Sequence, residues 1–142
     1  MTDGRALPKG SDDFFQLAES VPHVVWSADP GGRLFYCSRR GLEFLGAAEQ
    51  EIRGISWARF VHPDDLPGVQ EAWDESVRER TTYRKEQRLW SARDESWRWH
   101  LVEATPVPGE NGDPERYYGV STDIHDRKIA AEEREQLEMY IY

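Results

Sequence analysis

Residues 25–38 read VWSADPGGRLFYCS, two short β-type runs on either side of a turn. Valine and the aromatic residues favour strands. The central segment 29–32 combines Asp, Pro and two Gly, the residues that mark turns. The stretch therefore predicts a β-hairpin, although Pro30 does not suit a simple two-residue turn.

The segment before the hairpin predicts one helix. Ser11 can act as its N-cap, apolar residues follow at helical spacing, and Pro22 ends it because proline lacks the backbone donor that a helix needs. We therefore expect a flexible lead-in over residues 1–10 and a flanking helix over residues 11–22.

Further helices and three further strands are predicted after the hairpin. Ser38 and Gly46 suit the start and the end of a short helix, and residues 69–77 carry an apolar helical stripe. From residue 83 the pattern changes to strands over 83–90, 97–107 and 115–123, followed by an exposed helix from about residue 126. Five strands with helices inserted after the second predict an α+β fold with its helices on one face of an antiparallel sheet.

Composition excludes several classes of protein. The chain has 142 residues and a formal net charge of −9, which disfavours nucleic acid or an anionic membrane as partner. No apolar run approaches the roughly 20 residues that a membrane span needs, and the N-terminus shows no hydrophobic signal segment. We therefore expect a cytoplasmic location without membrane insertion. A single cysteine, Cys37, and four scattered histidines predict neither a disulfide framework nor a metal site.

Several strings resemble the PAS family. The hairpin at 25–38, the string FVHPDD at 60–65 and the ending GVSTDIHDRK at 119–128 are similar to PAS motifs, in the PAS order. The resemblance covers residues 12–128 and is to the subtype common in bacterial histidine kinases and cyclic-di-nucleotide enzymes. His125 departs from it, because the family usually has Thr there.

The resemblance implies a fold, domain limits and a role. The implied sheet order is 2-1-5-4-3, with a PAS core over 23–125 and a C-terminal signalling helix over 126–142. The chain would be a non-catalytic sensor that works with an effector domain or partner protein, as a homodimer, and that can bind a small molecule. The candidate signal-junction residues are Asp123, Ile124, Asp126 and Arg127.

Strand alternation matched to the family predicts a ligand pocket on the inner sheet face. A β-bulge would reverse any of these assignments. Glu86 and Arg88 are either polar anchors for a ligand or a pair that neutralises itself within a filled core. The candidate pocket residues are Trp26, Ala28, Phe35, Cys37, Leu45, Glu86, Arg88, Trp90, His100, Val102, Tyr117 and Ser121, with Ala104 and Gly119 on the same face.

The opposite set predicts an apolar outer sheet face, and such a patch usually marks an interface. The N-terminal helix can cover it within one chain or across a dimer. The candidate interface residues are Phe14, Leu17, Leu89, Trp97, Trp99, Leu101, Tyr118 and Val120.

The sequence leaves the cofactor unknown. It lacks the Asn-Cys-Arg string of flavin-binding family members and the long-helix histidine of haem-binding members, so neither group is expected. Two alternatives stay open. One is a small enzyme or carrier with His100 and Glu86 as an acid–base pair, and the other is a ligand-free interaction module.

Overall fold

The structure is a computed structural model that describes residues 9–141, without the side chains of residues 9–12 and 14. Its elements follow in the order α1 (Lys9–Ser20), β1 (Val24–Ala28), β2 (Leu34–Cys37), α2 (Arg39–Leu45), α3 (Glu49–Ile52), a 3₁₀ helix (Ser56–Phe60), α4 (Leu66–Glu79), β3 (Tyr83–Ser91), β4 (Ser96–Pro108), β5 (Pro114–Asp123) and α5 (His125–Ile141).

The five strands form one antiparallel sheet in the order β2-β1-β5-β4-β3, which confirms the predicted fold class and strand order. The helices between β2 and β3 cover one face of it, called the inner face below. Two groups of buried apolar residues meet there, one around Ile52 and Val69 and one around Tyr83 and Tyr117. None of the helices in residues 9–141 is both long and apolar enough to span a membrane.

Local sequence signals explain the hairpin and the short helix after it. The Asp29 carboxylate accepts a hydrogen bond from the backbone of Arg33 at 2.9 Å, and Gly32 takes the left-handed φ of 83° that the turn requires. The Ser38 hydroxyl caps α2 by accepting from the amide of Gly41, and Gly46 ends that helix in the left-handed conformation.

The flanking helices begin slightly earlier than the sequence predicts. The first helix starts at Lys9 rather than Ser11, so part of the expected lead-in is helical, and residues 1–8 lie outside the described residues. The last helix starts at His125 rather than at residue 126. Helix ends depend on local capping that propensity alone does not determine.

The expected orientation of β3 is wrong. Gln87 pairs with His100 and Arg88 pairs with Trp99, so the odd-numbered residues of β3 share the inner face with His100. Glu86, Arg88 and Trp90 therefore lie on the outer face, and Leu89, expected outside, lies inside.

Phe35 also lies on the outer face rather than in the pocket. Ser27 pairs with Tyr36 while Ala28 pairs with Leu34, so Phe35 is the extra residue of a bulge, which changes which side chains face inward. The Arg116 guanidinium lies 4.4 Å from the centroid of its ring.

Candidate functional site

A cavity of about 100 Å³ lies between the inner sheet face and the helices that cover it. Every element from β1 to β5 contributes to its wall. Its lining consists of Val24, Trp26, Ala28, Gly32, Leu34, Cys37, Leu45, Ile52, Trp57, Phe60, Val61, Val69, Trp73, Tyr83, Gln87, Leu89, Val102 and Ser121.

Half of the twelve sequence-predicted pocket residues lie in this wall. His100 and Tyr117 lie on the inner face and are fully buried, but they do not line the cavity. The remaining predicted residues, Phe35, Glu86, Arg88 and Trp90, lie on the outer face. Those in the wall are Trp26, Ala28, Cys37, Leu45, Val102 and Ser121.

Two tryptophans of the wall bind the hairpin turn to the helices that cover the inner face. The sequence did not identify either of them as a cavity residue. The Trp57 indole donates to the carbonyl of Gly32 at 2.8 Å, and the Trp73 indole donates to the carbonyl of Pro30 at 2.9 Å. Trp73 belongs to the apolar stripe of α4, which could have identified it. Trp57 lies in an irregular segment whose sequence has no period to reveal a buried face.

The Trp26 side chain lies flat against the backbone of Gly119 on the neighbouring strand. A Cβ atom at position 119 would overlap the indole ring, so only glycine leaves room for it. The indole N–H donates to the Ser121 hydroxyl at 3.1 Å, and Trp73 lies beside it with the ring centroids 6.2 Å apart. Trp26 thus forms one fixed wall of the cavity.

Tyr83, Gln87 and Ser121, which are polar side chains of the wall, each make one hydrogen bond within the protein. The Tyr83 hydroxyl donates to Gln87 Oε1 at 2.6 Å, and burial raises the pKa of Tyr83. Because the residues in the wall include no acid, lysine, arginine or histidine, the cavity provides an uncharged environment.

Cys37 is buried in this wall and is a poor nucleophile. Burial, with smaller contributions from the carboxylates of Glu19 and Glu49, raises the pKa of its thiol to about 12. Thiol reactivity depends on the thiolate form, so the native cavity keeps Cys37 inert.

His100 is buried and uncharged. Burial lowers its pKa to about 4, although the Asp123 carboxylate acts in the opposite direction from 3.9 Å, beyond hydrogen-bond range. Its ring packs edge-on against Phe44 of α2, with centroids 4.9 Å apart. Within the described residues, neither ring nitrogen has a hydrogen-bond partner.

The acid–base pair considered from the sequence does not form. His100 faces inward, whereas Glu86 lies on the other face of the sheet and accepts a hydrogen bond from Lys128 at 2.7 Å. The two side chains are thus separated by the sheet and cannot act on one substrate.

The start of α5 is anchored to β4 through main-chain and side-chain bonds. The amide of Ile124 donates to the carbonyl of Trp99 at 2.9 Å, and the amide of Trp99 donates to Nδ1 of His125 at 3.2 Å. Arg98 binds Asp123 at 2.7 Å and Asp126 at 3.1 Å. His125, the departure from the family motif, therefore provides the acceptor at this junction.

The charges at the junction stabilise each other. The hydrogen bonds that Arg98 donates to the Asp123 carboxylate raise the pKa of Arg98. Partial burial would raise the pKa of Asp123, but the hydrogen bonds from Arg98 and His125 outweigh it, and the net shift is downward. Ile124 is buried, while Arg127 is exposed and makes no ion pair with any described residue.

A second connection runs over the outer face from α4 to α5. Asp65, just before α4, accepts two hydrogen bonds from the Arg88 guanidinium, at 2.7 and 3.0 Å. The guanidinium in turn lies 4.8 Å from the ring centroid of Trp99, as does the ammonium of Lys128. Arg88, Trp99 and Lys128 thus link the helix that covers the cavity to α5.

The remaining interface candidates follow the outer face as predicted by alternation. Leu17, on α1, is 64% exposed, and the side chain of Phe14 lies outside the described residues. The candidates whose strand register places them on this face are Trp97, Trp99, Leu101, Tyr118 and Val120.

Comparison with known proteins agrees with this fold. A family model described as "PAS fold" matches residues 34–121. The uncharacterized protein y4lL of Sinorhizobium fredii is 35% identical over 87% of this chain, and the peroxide stress-activated histidine kinase mak1 of Schizosaccharomyces pombe is 32% identical over 82%. The chain spans only 15% and 7% of the lengths of these two relatives.

A solved structure supports the same assignment. A sensory box histidine kinase/response regulator from Burkholderia thailandensis superposes with a TM-score of 0.66 and 29% sequence identity, over 88% of this chain and 98% of that one. The chain therefore belongs to the PAS family and is homologous to the sensor domains of histidine kinases.

Proposed function

We propose that the cavity is the input site of this sensor domain and that α5 is its output element. The observation that supports this proposal most strongly is the alternation of β4. Val102 lines the cavity and His100 packs under α2, while Trp99 holds α5 through its backbone and its ring. A molecule that shifts β4 from inside would therefore disturb the groups that hold α5 outside.

The α4 connection offers a second route for the same signal. Val69 and Trp73 of α4 line the cavity. A displacement of α4 would act on Asp65 at its start, and Asp65 is bonded to the Arg88 guanidinium over Trp99. Both routes meet at Trp99, which makes this residue the proposed junction between input and output.

The domain would work without catalysis and would act on an attached effector domain or a partner protein. The wall of the cavity offers no nucleophile with a lowered pKa and no acid–base pair, which supports a binding role over an enzymatic one. The cytoplasmic location expected from the sequence stays a prediction, as do the domain limits and the signalling role of residues 126–142.

A cavity-filling variant tests the relay independently of any ligand. Val102→Ile adds a methylene group to the wall, and Val107→Ile adds the same group on the outer face of the same strand, where Val107 is 39% exposed. If β4 transmits the change, Val102→Ile should alter amide hydrogen exchange in residues 124–130 about fivefold or more, the low end of typical allosteric couplings. Equal exchange in both variants would contradict the relay.

We also propose that two copies associate through the outer face beside α1. Leu17, Phe35 and Val120 expose apolar side chains there, with 64%, 40% and 38% of their surface accessible. Val120→Asp should weaken dimerisation at least about tenfold in sedimentation equilibrium. Ile55→Asp, at a 68% exposed site outside the sheet, is the control. A monomeric wild-type protein would refute the interface.

A further inference from the structure

The size of the cavity limits what it can hold. Ligand pockets usually measure about 300–1,000 Å³, whereas this cavity measures about 100 Å³. An apolar cavity of about 150 Å³ accommodates benzene. A flavin or a haem is far too large, and the limit lies near the size of benzene.

The lining limits the charge of the occupant. The positions that the sequence predicted as charged anchors, Glu86 and Arg88, lie on the outer face, where Lys128 and Asp65 neutralise them. A carboxylate or an ammonium in the cavity would lose its hydration without gaining an ion pair, at a cost of several kcal/mol. The occupant must therefore be uncharged.

The lining nevertheless offers two polar groups to an occupant. The Gln87 side chain accepts from Tyr83 through Oε1, and no described residue bonds to its amide nitrogen. The Ser121 hydroxyl accepts from Trp26, which leaves its proton available. Both side chains line the cavity. Gln87 on β3 and Ser121 on β5 are separated by β4, so each donor by itself can serve one oxygen acceptor of a small molecule in an otherwise apolar wall.

Trp26 sets the size limit of the cavity. Its indole fills the space above Gly119, and the bond to Ser121 holds it there. Trp73 packs beside the Trp26 indole, with centroids 6.2 Å apart, and Tyr117 packs against Trp73, with centroids 4.6 Å apart, so a cluster of aromatic rings supports the indole in this position. Shortening this side chain would open the room that larger family ligands would need.

We propose that the cavity binds a small neutral molecule of about benzene size or less, mostly apolar with a single hydrogen-bond acceptor, and that Trp26 determines this size limit. This inference rests on the proposed sensory role of the cavity, and it names the chemical class of the input.

A matched pair of probes tests the charge requirement. The ketone 2-butanone and the propionate ion have nearly the same shape, but only propionate is charged. In NMR titrations of the whole chain, 2-butanone should shift the resonances of cavity residues at least about 100-fold more tightly than propionate. Equal affinity would overturn the proposal, as would the absence of binding by both 2-butanone and xenon up to about 10 mM.

A second set of variants tests the role of Trp26. Naphthalene should not bind the wild-type protein, and Trp26→Ala should admit it. Trp26→Phe keeps an aromatic ring at this position and serves as the variant that is expected to fold. It should bind indole, which is larger than benzene and which the wild type should reject. Naphthalene binding to the wild type would overturn the size limit.

The outcomes of these binding tests can be distinguished from a failure of the proposed relay to α5. If the relay fails, the affinities of the probes keep the expected order while exchange in α5 stays unchanged. If the ligand class is wrong, propionate or naphthalene binds the wild type, and the response of α5 can still be measured with that probe.

Discussion

Lys128, near the start of α5, places its ammonium 4.8 Å from the ring centroid of Trp99 in β4. The same ammonium donates to Glu86 on β3 at 2.7 Å, and this hydrogen bond raises the pKa of Lys128. One side chain of α5 is thus bound to both β3 and β4. These contacts give the start of α5 a defined position on the outer face of the sheet.

Removal of this contact should loosen α5 without unfolding the sheet. Lys128→Met keeps the aliphatic stem but loses the cation–π contact, which is worth about 0.5–1 kcal/mol at exposed sites. It also loses the ion pair with Glu86, which is worth about 0–1 kcal/mol at a surface. Amide exchange over residues 124–130 should therefore accelerate at least about twofold. Arg127→Met, on the same turn but exposed, is the control and should exchange like the wild type.

The Asp65–Arg88 pair should contribute more to stability than an ordinary surface ion pair. Its side chains are only 12% and 27% exposed, and the carboxylate also accepts from the backbone of Arg88 at 2.8 Å. Arg88→Met should lower the free energy of unfolding by about 1.5–3 kcal/mol in urea titrations, because it removes charge-assisted hydrogen bonds.

An exposed ion pair on the same strand provides the control for this prediction. Arg84 binds Glu103 with side chains 63% and 43% exposed, so Arg84→Met should cost less than about 1 kcal/mol. A double-mutant cycle with Asp65→Asn should assign most of the Arg88 effect to the pair. Equal losses for Arg84 and Arg88 would argue against the proposed link from α4.

Stability should depend on pH through His100. The folded state holds its pKa at about 4, and the unfolded chain has a value of about 6.5. Protonation therefore favours unfolding, and stability falls as pH decreases from about 6.5 towards 4. The loss between pH 7.5 and pH 5 should reach about 2 kcal/mol.

His100→Gln isolates this contribution, because it removes the titrating group and keeps the other three histidines. The two carboxylates with lowered pKa values, Asp65 and Asp123, act in a different window: their stabilisation is present above about pH 4 and is lost below it. The variant should thus lose the slope between pH 7 and pH 5. A slope retained in full would show that His100 is not its origin.

Cys37 should not respond to peroxide in the native domain. A thiol with a pKa of about 12 contains little thiolate at neutral pH. Its alkylation by iodoacetamide at pH 7.5 should be at least about 100-fold slower than in the urea-unfolded chain. Rapid alkylation or sulfenic acid formation in the folded protein would contradict this prediction and indicate a redox role for Cys37.

The sequence predicted the architecture well but the cavity only in part. Strand order and the capped helix α2 could be predicted because turn residues and the family strings define them locally. The facing of β3 could not, because Tyr83 and Leu89 on one side and Trp90 on the other make both alternations apolar. The register opposite His100, which decides the facing, is a long-range property.

The residues of the cavity wall likewise divide into those that the sequence could identify and those that it could not. Trp26 and Ser121 could be identified by alternation within regular strands. Trp57 could not, because it reaches the cavity from a 3₁₀ helix and is held by the carbonyl of Gly32 on a distant turn. The volume left by such packing has no signature in the sequence.

Hydrogen exchange in α5, measured with and without 2-butanone, tests most directly whether the cavity controls the helix. With the ketone bound, as verified by NMR shifts of Gln87 and Ser121, exchange over residues 124–130 should change about fivefold or more, and Lys128→Met should reduce the change. Full occupancy of the cavity with unchanged exchange in α5 would contradict the account.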